Sequence, residues 1–267
     1  MMIWQADFYK HTSSQDSQGK PIWELIICDS NNNLIYHAPC PQNLANSDWL
    51  VTQLQEAAGE KLPDLIQVFR PQSLSLLTLA GQKLGVKIEA TRRTPALKKE
   101  LEKRYGKIKL EQPPPQALPE NIWGKEWRFA SLPAGDIVDI WSDRPLPILD
   151  LSPSLFPINL GIPSNIPIPG VIIYGGKKSM LLARWLEEQK PFALNYIPTE
   201  KGESGGLILE TGLVARWIFI TFEDSEVAQA AENYNERKLA SKGLHFLLIQ
   251  PDDSNITYTG FWLLQEE

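Results

Sequence analysis

The first part of the chain alternates short apolar runs with polar turns. Apolar residues dominate 3–10, 22–28 and 34–37, so three antiparallel strands are predicted there. A run with apolar residues at helical spacing then begins near Ser47 and ends near Gly59. The chain is therefore predicted to open with a three-stranded meander followed by a helix.

The next stretch adds a β-α-β unit and one more helix. Strands are predicted over 65–69 and 86–90, and the helix between them is predicted to end at Gly85. The following helix should begin at Thr94, as its N-cap, and end at Gly106. The order β-β-β-α-β-α-β-α predicts a ribonuclease-H-like mixed sheet, in which three antiparallel strands lead into parallel ones.

Prolines mark the middle of the chain. Segment 111–169 begins with a proline cluster and carries seven more prolines in its second half, so it is predicted to be a Pro-rich linker with a packed connecting part. Within it, 118–132 and 137–141 are predicted to be strand-like. Strands and helices alternate again afterwards. The predicted fold class is α/β, with an N-terminal domain over 1–110 and a second, smaller α/β domain over 170–267.

Composition bounds the possible classes of protein. The 267 residues are 43% hydrophobic and 22% charged, as in an ordinary globular protein. Two cysteines are too few for a disulfide framework or a four-ligand zinc site, and no metal or other cofactor is predicted. No apolar run approaches the ~20 residues of a membrane helix. The chain enters a strand pattern at once, without a targeting segment, so a cytoplasmic protein is predicted.

Basic residues concentrate in one part of this chain of net charge −6, with ten basic and three acidic residues between 83 and 109. Arg70 follows one strand of the β-α-β unit, and Arg92 and Arg93 follow the other. They should therefore lie at the carboxyl ends of neighbouring parallel strands, where open α/β sheets bind ligands. Lys98 and Lys99 come one helical turn later. These five residues are predicted to bind an RNA backbone, because arginine and a helix start both favour phosphate; a solvated basic helix face is the alternative.

A nuclease is a further possibility, because ribonuclease-H-like enzymes hold paired metal ions between carboxylates. Asp7 on the first strand and Glu56 on the first helix could supply two of them. The fourth strand, however, ends in Arg70, and a fixed positive charge works against metal binding at that position. The sequence therefore favours a protein without catalytic residues.

The last apolar run, Gly-Phe-Trp-Leu-Leu, lies within eight residues of the final position. Chain ends usually fray, so large apolar groups there indicate either a sheet-docked last strand or a partner contact. Trp262, Leu263 and Leu264 are the candidate contact residues.

Several stretches resemble the Tab2/Atab2 family of plastid and cyanobacterial translation factors. The matching stretches read Trp-Gln-Ala-Asp-Phe-Tyr at 4–9, Phe-Arg-Pro-Gln at 69–72 and Arg-Arg-Thr at 92–94, with longer matches at 19–29, 118–130 and 260–264. The resemblance implies RNA binding, activation of translation of a photosystem I reaction-centre subunit, and association with translation complexes. It also implies a functional role for the C-terminal Trp-Leu-Leu, and the early strand pattern suggests a cyanobacterial member.

The sequence as a whole thus predicts an RNA-binding factor that supports translation and biogenesis of photosystem proteins without catalysis. Its predicted partners are RNA, from the transcript of a photosystem subunit, and the translation machinery or assembly factors. Two alternatives remain open: a scaffold that contacts only proteins, and a metal-dependent nuclease.

Overall fold

The N-terminal part of the chain folds around one mixed sheet. The computed structural model describes residues 1–15, 19, 21–106, 108, 110 and 112–266. It divides into two compact units, Met1–Glu111 (unit 1) and Gln112–Glu267 (unit 2). No helix among the described residues is long and apolar enough to cross a membrane.

Unit 1 has the predicted order of elements. They are β1 (Ile3–Gln15), β2 (Pro21–Asp29), β3 (Leu34–Cys40), α1 (Ser47–Ala58), β4 (Leu65–Val68), α2 (Pro71–Leu84), β5 (Lys87–Ala90) and α3 (Pro95–Tyr105). The strands lie in the order β3-β2-β1-β4-β5. Strands β1, β2 and β3 pair antiparallel, and β4 and β5 run parallel to β1, which confirms the predicted mixed sheet.

Local signals end the helices of unit 1 close to where the sequence predicts. Gly85 adopts a left-handed conformation (φ 68°) after α2, which a residue with a side chain would adopt only with strain. Gly106 (φ 78°) follows α3. Helix α1 begins at Ser47, and the Asn46 side chain caps it by accepting from the Trp49 amide at 2.9 Å.

Helices cover both faces of the sheet of unit 1. On one face, α1 and α2 bury Leu50, Leu54 and Leu77 against β1 and β4. On the other face, Leu97 and Leu101 of α3 join a smaller core with residues of β2. Helix α3 therefore has one buried side, and its remaining surface carries its charged residues.

Unit 2 contains two sheets. Its elements are β6 (Gln116–Ala117), β7 (Glu126–Pro133), α4 (Ile137–Ser142), β8 (Ile148–Asp150), β9 (Pro167–Tyr174), α5 (Ser179–Gln189), β10 (Pro191–Glu200), β11 (Ser204–Thr211), β12 (Ala215–Phe222), α6 (Ser225–Ala240), β13 (Leu244–Gln250) and β14 (Gly260–Gln265). One sheet has the order β10-β11-β12-β6 and the other β7-β9-β13-β14-β8.

The domain boundaries differ from those predicted. Residues 112–169 of the predicted linker belong to unit 2, because β7 pairs along its whole length with β9 and β8 pairs with β14. Unit 2 is consequently the larger of the two units, not the smaller. Residues 137–141, predicted to be strand-like, form the short helix α4, which buries Ile137 and Trp141. The prolines of this segment lie mostly outside helices and strands, although Pro133 ends β7 and Pro167 and Pro169 lie in β9.

Candidate nucleic-acid interface

The carboxyl ends of β4 and β5 lie side by side, as predicted. The two strands are parallel, with Val68 opposite Ala90. Arg70 follows β4 and directly precedes α2, and Arg92 and Arg93 lie in the turn between β5 and α3. The Thr91 amide donates to the Val68 carbonyl oxygen at 3.0 Å, which ties this turn to the end of β4.

Arg70 lies inside unit 1 and does not face solvent. It is 5% exposed, and its Nε lies 3.0 and 3.1 Å from the two carboxylate oxygens of Asp7 on β1. Ser73 Oγ donates to the same carboxylate at 2.7 Å, and the guanidinium carbon lies 3.9 Å from the centre of the Tyr9 ring. A buried carboxylate needs such partners. Arg70 thus neutralises Asp7, which corrects its predicted role as an RNA contact.

Arg92 is also buried, with 6% of its surface exposed. The turn around it is held locally, since the Arg93 amide donates to Thr91 Oγ1 and the Thr94 amide donates to the Arg92 carbonyl oxygen. Arg70 and Arg92 are thus both buried, so the three arginines do not converge on one exposed pocket.

The start of α3 offers fewer free amides than predicted. Pro95 has no N–H, and the Leu97 amide donates to Gln5 Oε1 on β1 at 3.0 Å. The Lys98 amide already donates to the Thr94 carbonyl oxygen. This helix start is therefore capped largely from within the protein.

Exposed cations remain along α3. Arg93 and Lys98 are half-buried, whereas Lys99 and Lys103 are exposed. Lys99 and Lys103 are four residues apart and so lie on one face of the helix. We call Arg93, Lys98, Lys99 and Lys103 the α3 cationic face. Sequence reasoning missed Lys103, although its spacing from Lys99 was a usable signal.

One acidic residue of α3, Glu100, lies near two of the cations of the helix. Arg104 Nε contacts Glu100 Oε1 at 2.6 Å, and Lys103 Nζ lies 4.0 Å from the other oxygen of the same carboxylate. The longer contact leaves the Lys103 side chain 79% exposed. Glu100 thus neutralises Arg104 far more than it neutralises Lys103, and the α3 cationic face keeps a net positive charge.

Asp7 is not arranged to bind a metal ion. Arg70 and Ser73 occupy its carboxylate, and Glu56, the second candidate, is exposed and accepts from the Tyr36 hydroxyl at 2.7 Å. In the part of the chain that the structure describes, no group of three or more His, Cys, Asp or Glu side chains could hold a metal. The geometry around Asp7 is that of an internal ion pair.

The two cysteines are buried within unit 1 as free thiols. Burial is the main cause that raises the pKa of Cys28 to about 11, with a smaller contribution from Glu100, and burial raises the pKa of Cys40 to about 11 as well. Both thiols are therefore protonated at neutral pH, and the protonated form is a poor nucleophile.

The C-terminal Trp-Leu-Leu lies in the core of unit 2. Strand β14 is hydrogen-bonded to β13 on one side and to β8 on the other. Trp262 is 1% exposed, and Leu263 and Leu264 are fully buried. Trp262 and Leu264 enter one core cluster and Leu263 enters the other, so both faces of β14 are covered. The predicted partner contact at these residues is thus revised to a sheet-docked last strand.

Comparison with known proteins assigns a family to this fold. A family model described as "RNA-binding protein Tab2/Atab2 N terminal" matches residues 3–104, and one described as the C-terminal domain of the same protein matches residues 105–265. A chloroplastic TAB2 homolog of Arabidopsis thaliana is 31% identical over 283 aligned positions, covering 98% of this chain and 74% of that protein. A chloroplastic TAB2 homolog of Zea mays is 29% identical over 281 positions, covering 98% of this chain and 70% of its own. The chain therefore belongs to the Tab2/Atab2 family of RNA-binding proteins.

Proposed function

We propose that this protein binds RNA through the α3 cationic face and supports translation and biogenesis of photosystem proteins without a catalytic step of its own. The observation that supports the RNA contact is the exposure of Lys99 and Lys103 on one helix face, flanked by Arg93 and Lys98. Family membership supports RNA as the ligand.

The five residues predicted from the sequence to bind RNA take two different roles in this proposal. Arg93, Lys98 and Lys99 contact phosphates from the surface, and Lys103 extends the contact by one helical turn. Arg70 is an interior group that ties the end of β4 to Asp7 on β1, and Arg92 is buried in the turn from which α3 begins. Phosphate contacts of this kind give affinity without sequence readout.

The photosystem part of the proposal rests on the resemblance between this chain and its plastid relatives. The two relatives above are named chloroplastic TAB2 homologs. We infer that the RNA is the transcript of a photosystem subunit and that translation or assembly factors are further partners. The cytoplasmic location predicted from the sequence belongs to the same proposal.

Salt dependence of binding tests the RNA contact. Each phosphate contact with a single strand contributes about 0.7 to the slope of log affinity against log salt. The double variant Arg93→Ala/Lys99→Ala should therefore lower affinity for a mixed-sequence single-stranded RNA and flatten that slope by about 1.4. Lys177→Ala/Lys178→Ala is a matched control, because both lysines are exposed residues of unit 2 and the charge change is the same.

Two results would count against this proposal. An equal loss of slope in both double variants would show that net charge, not the α3 cationic face, governs binding. No measurable RNA affinity for the full chain at low salt would leave a scaffold that contacts only proteins as the better account.

A further inference from the structure

Strand β7 forms one edge of its sheet in unit 2, and its outer side is open. It pairs with β9 over its whole length without a register shift, and the sheet order β7-β9-β13-β14-β8 places no strand of the described chain beyond it. None of its eight residues is buried. The N–H and C=O groups along its outer side can therefore pair with a further strand.

The other edge strands in the described ranges are protected by short length or by proline. Strands β5, β6 and β8 have four, two and three residues. Strand β3 contains Pro39, and β10 contains Pro198 and two register shifts. In β7 the only proline is the last residue, Pro133, and the two charged residues lie in its first half, so positions 129–132 carry neither device. A regular edge of this kind invites pairing with another chain.

Helix α6 packs beside β7 and turns one flank toward the open edge. Ala230, Asn233 and Arg237 of this flank line a cavity of about 280 Å³ together with Phe129 and Ser131 of β7. Arg237 Nη1 donates to Ser131 Oγ at 3.3 Å, which holds the guanidinium over the strand. A guanidinium has five N–H donors, so this contact leaves donors for a partner.

The flank of α6 is complementary to itself in charge. Glu226 lies on it as well, because positions 226, 230, 233 and 237 recur at helical spacing. Glu226 and Arg237 are both exposed, and neither forms an ion pair with a residue that the structure describes. Two copies of this flank placed antiparallel bring each Glu226 opposite the Arg237 of the other copy, with only Ala230 and Asn233 between them.

We propose that two copies of this chain associate through β7 and α6. The two β7 strands pair antiparallel about a twofold axis near Phe129, which joins two five-stranded sheets into one of ten strands. This axis is perpendicular to the sheet, so it also sets the two α6 helices antiparallel. The Phe129 and Tyr234 rings lie 5.3 Å apart, so the axis that passes through the middle of β7 also passes near the middle of α6.

Backbone and side chains contribute differently to this dimer. Strand pairing supplies main-chain hydrogen bonds, and the ion pair between Glu226 and Arg237, formed twice by symmetry, fixes the alignment. Unit 2 carries more acidic than basic side chains, so two copies repel each other at long range. At a salt concentration of about 0.15 M, charges more than about 8 Å apart are largely screened, and the directly facing groups decide the outcome.

Sedimentation equilibrium of the full chain at about 0.15 M salt tests the association. The wild type should have twice the mass of one chain, with a dissociation constant below about 100 µM. Arg237→Glu and Glu226→Arg should each weaken dimerisation by about tenfold, because each change places like charges opposite each other twice. The combined variant Glu226→Arg/Arg237→Glu should restore the wild-type constant, because the pairs form again with their signs exchanged.

A matched control is Arg184→Glu, which makes the same charge change at an exposed residue of α5, a helix that contacts β8 at the opposite edge of the sheet. It should dimerise as the wild type does. Amide hydrogen exchange in β7 should slow as the chain concentration rises through the dissociation constant, whereas exchange in β3, another edge strand, should not change.

Three results would overturn the dimer. The wild type could stay a monomer, which would leave the β7 edge for a strand of a different protein. The combined variant could dimerise as weakly as the single ones, or the concentration-dependent protection could lie outside β7 and α6. The salt slope of RNA binding should be the same in Arg237→Glu and the wild type, so this test is independent of the proposed RNA contact.

Discussion

At the scale of single residues, the ion pair between Asp7 and Arg70 removes both side chains from binding RNA or a metal ion at the carboxyl end of β4. Both side chains are almost fully buried, and the pair is completed by Ser73. Asp7→Asn would leave the arginine charge buried without its carboxylate, so we expect the free energy of unfolding to fall by about 3–5 kcal/mol. Urea unfolding of the full chain measures it. Asp7→Asn/Arg70→Met, which removes both charges, should recover part of the loss.

The stability of Asp7→Asn also distinguishes a structural role of Asp7 from a catalytic one. If Asp7 were a metal ligand, Asp7→Asn would leave stability nearly unchanged and abolish Mg²⁺-dependent cleavage of RNA. If Asp7→Asn lowered the free energy of unfolding by less than about 1 kcal/mol, which is the usual contribution of an exposed ion pair, the structural role would be contradicted. The sequence placed Arg70 correctly at the end of β4. The direction of its side chain could not be predicted, because Asp7 lies 63 residues earlier and meets it only when β1 and β4 pair.

At the scale of elements, signals within a few residues predicted far more than pairings between distant segments. Gly85 and Gly106 mark helix ends through local backbone preferences, and the structure confirms both. Strand β8 has only three residues and exists because β14 pairs with it, 112 positions later along the chain. Nothing local to 148–150 predicts that pairing, so the sequence predicts a linker and connecting segment over 111–169 where the structure forms strands of unit 2.

Strand β14 gives the clearest test at this scale. Trp262 is buried, and its strand β14 pairs with β13 on one side and β8 on the other. Trp262→Ala should therefore lower the free energy of unfolding by about 3–5 kcal/mol, through lost burial and the cavity left behind. Ile256→Ala, which changes an 80% exposed residue just before the strand, should be nearly neutral. Thermal and urea unfolding of the two variants measure the difference. Unchanged unfolding of Trp262→Ala, together with loss of a protein partner, would favour the contact site predicted from the sequence.

At the scale of the whole molecule, charge is divided between the units. Unit 1 carries 14 basic and 12 acidic side chains, and unit 2 carries 12 basic and 20 acidic ones. The overall charge of −6 therefore comes from unit 2, and unit 1 is weakly basic. An acidic surface repels a polyanion and a basic one attracts it. The division suits a molecule that binds RNA with unit 1, because unit 2 would repel it.

Each unit also has its own buried clusters, which makes this division testable by cutting the chain. The clusters of unit 1 contain only its own residues, from Met2 to Leu110, so fragment 1–111 should fold alone and show cooperative unfolding. Because the α3 cationic face lies wholly in that fragment, it should bind single-stranded RNA with the same salt slope as the full chain. Its affinity should be equal or higher, since the acidic unit 2 is gone. Fragment 112–267 should fold but bind RNA weakly. If the RNA affinity followed fragment 112–267 instead, the RNA contact would lie in unit 2 and the role assigned to α3 would be wrong.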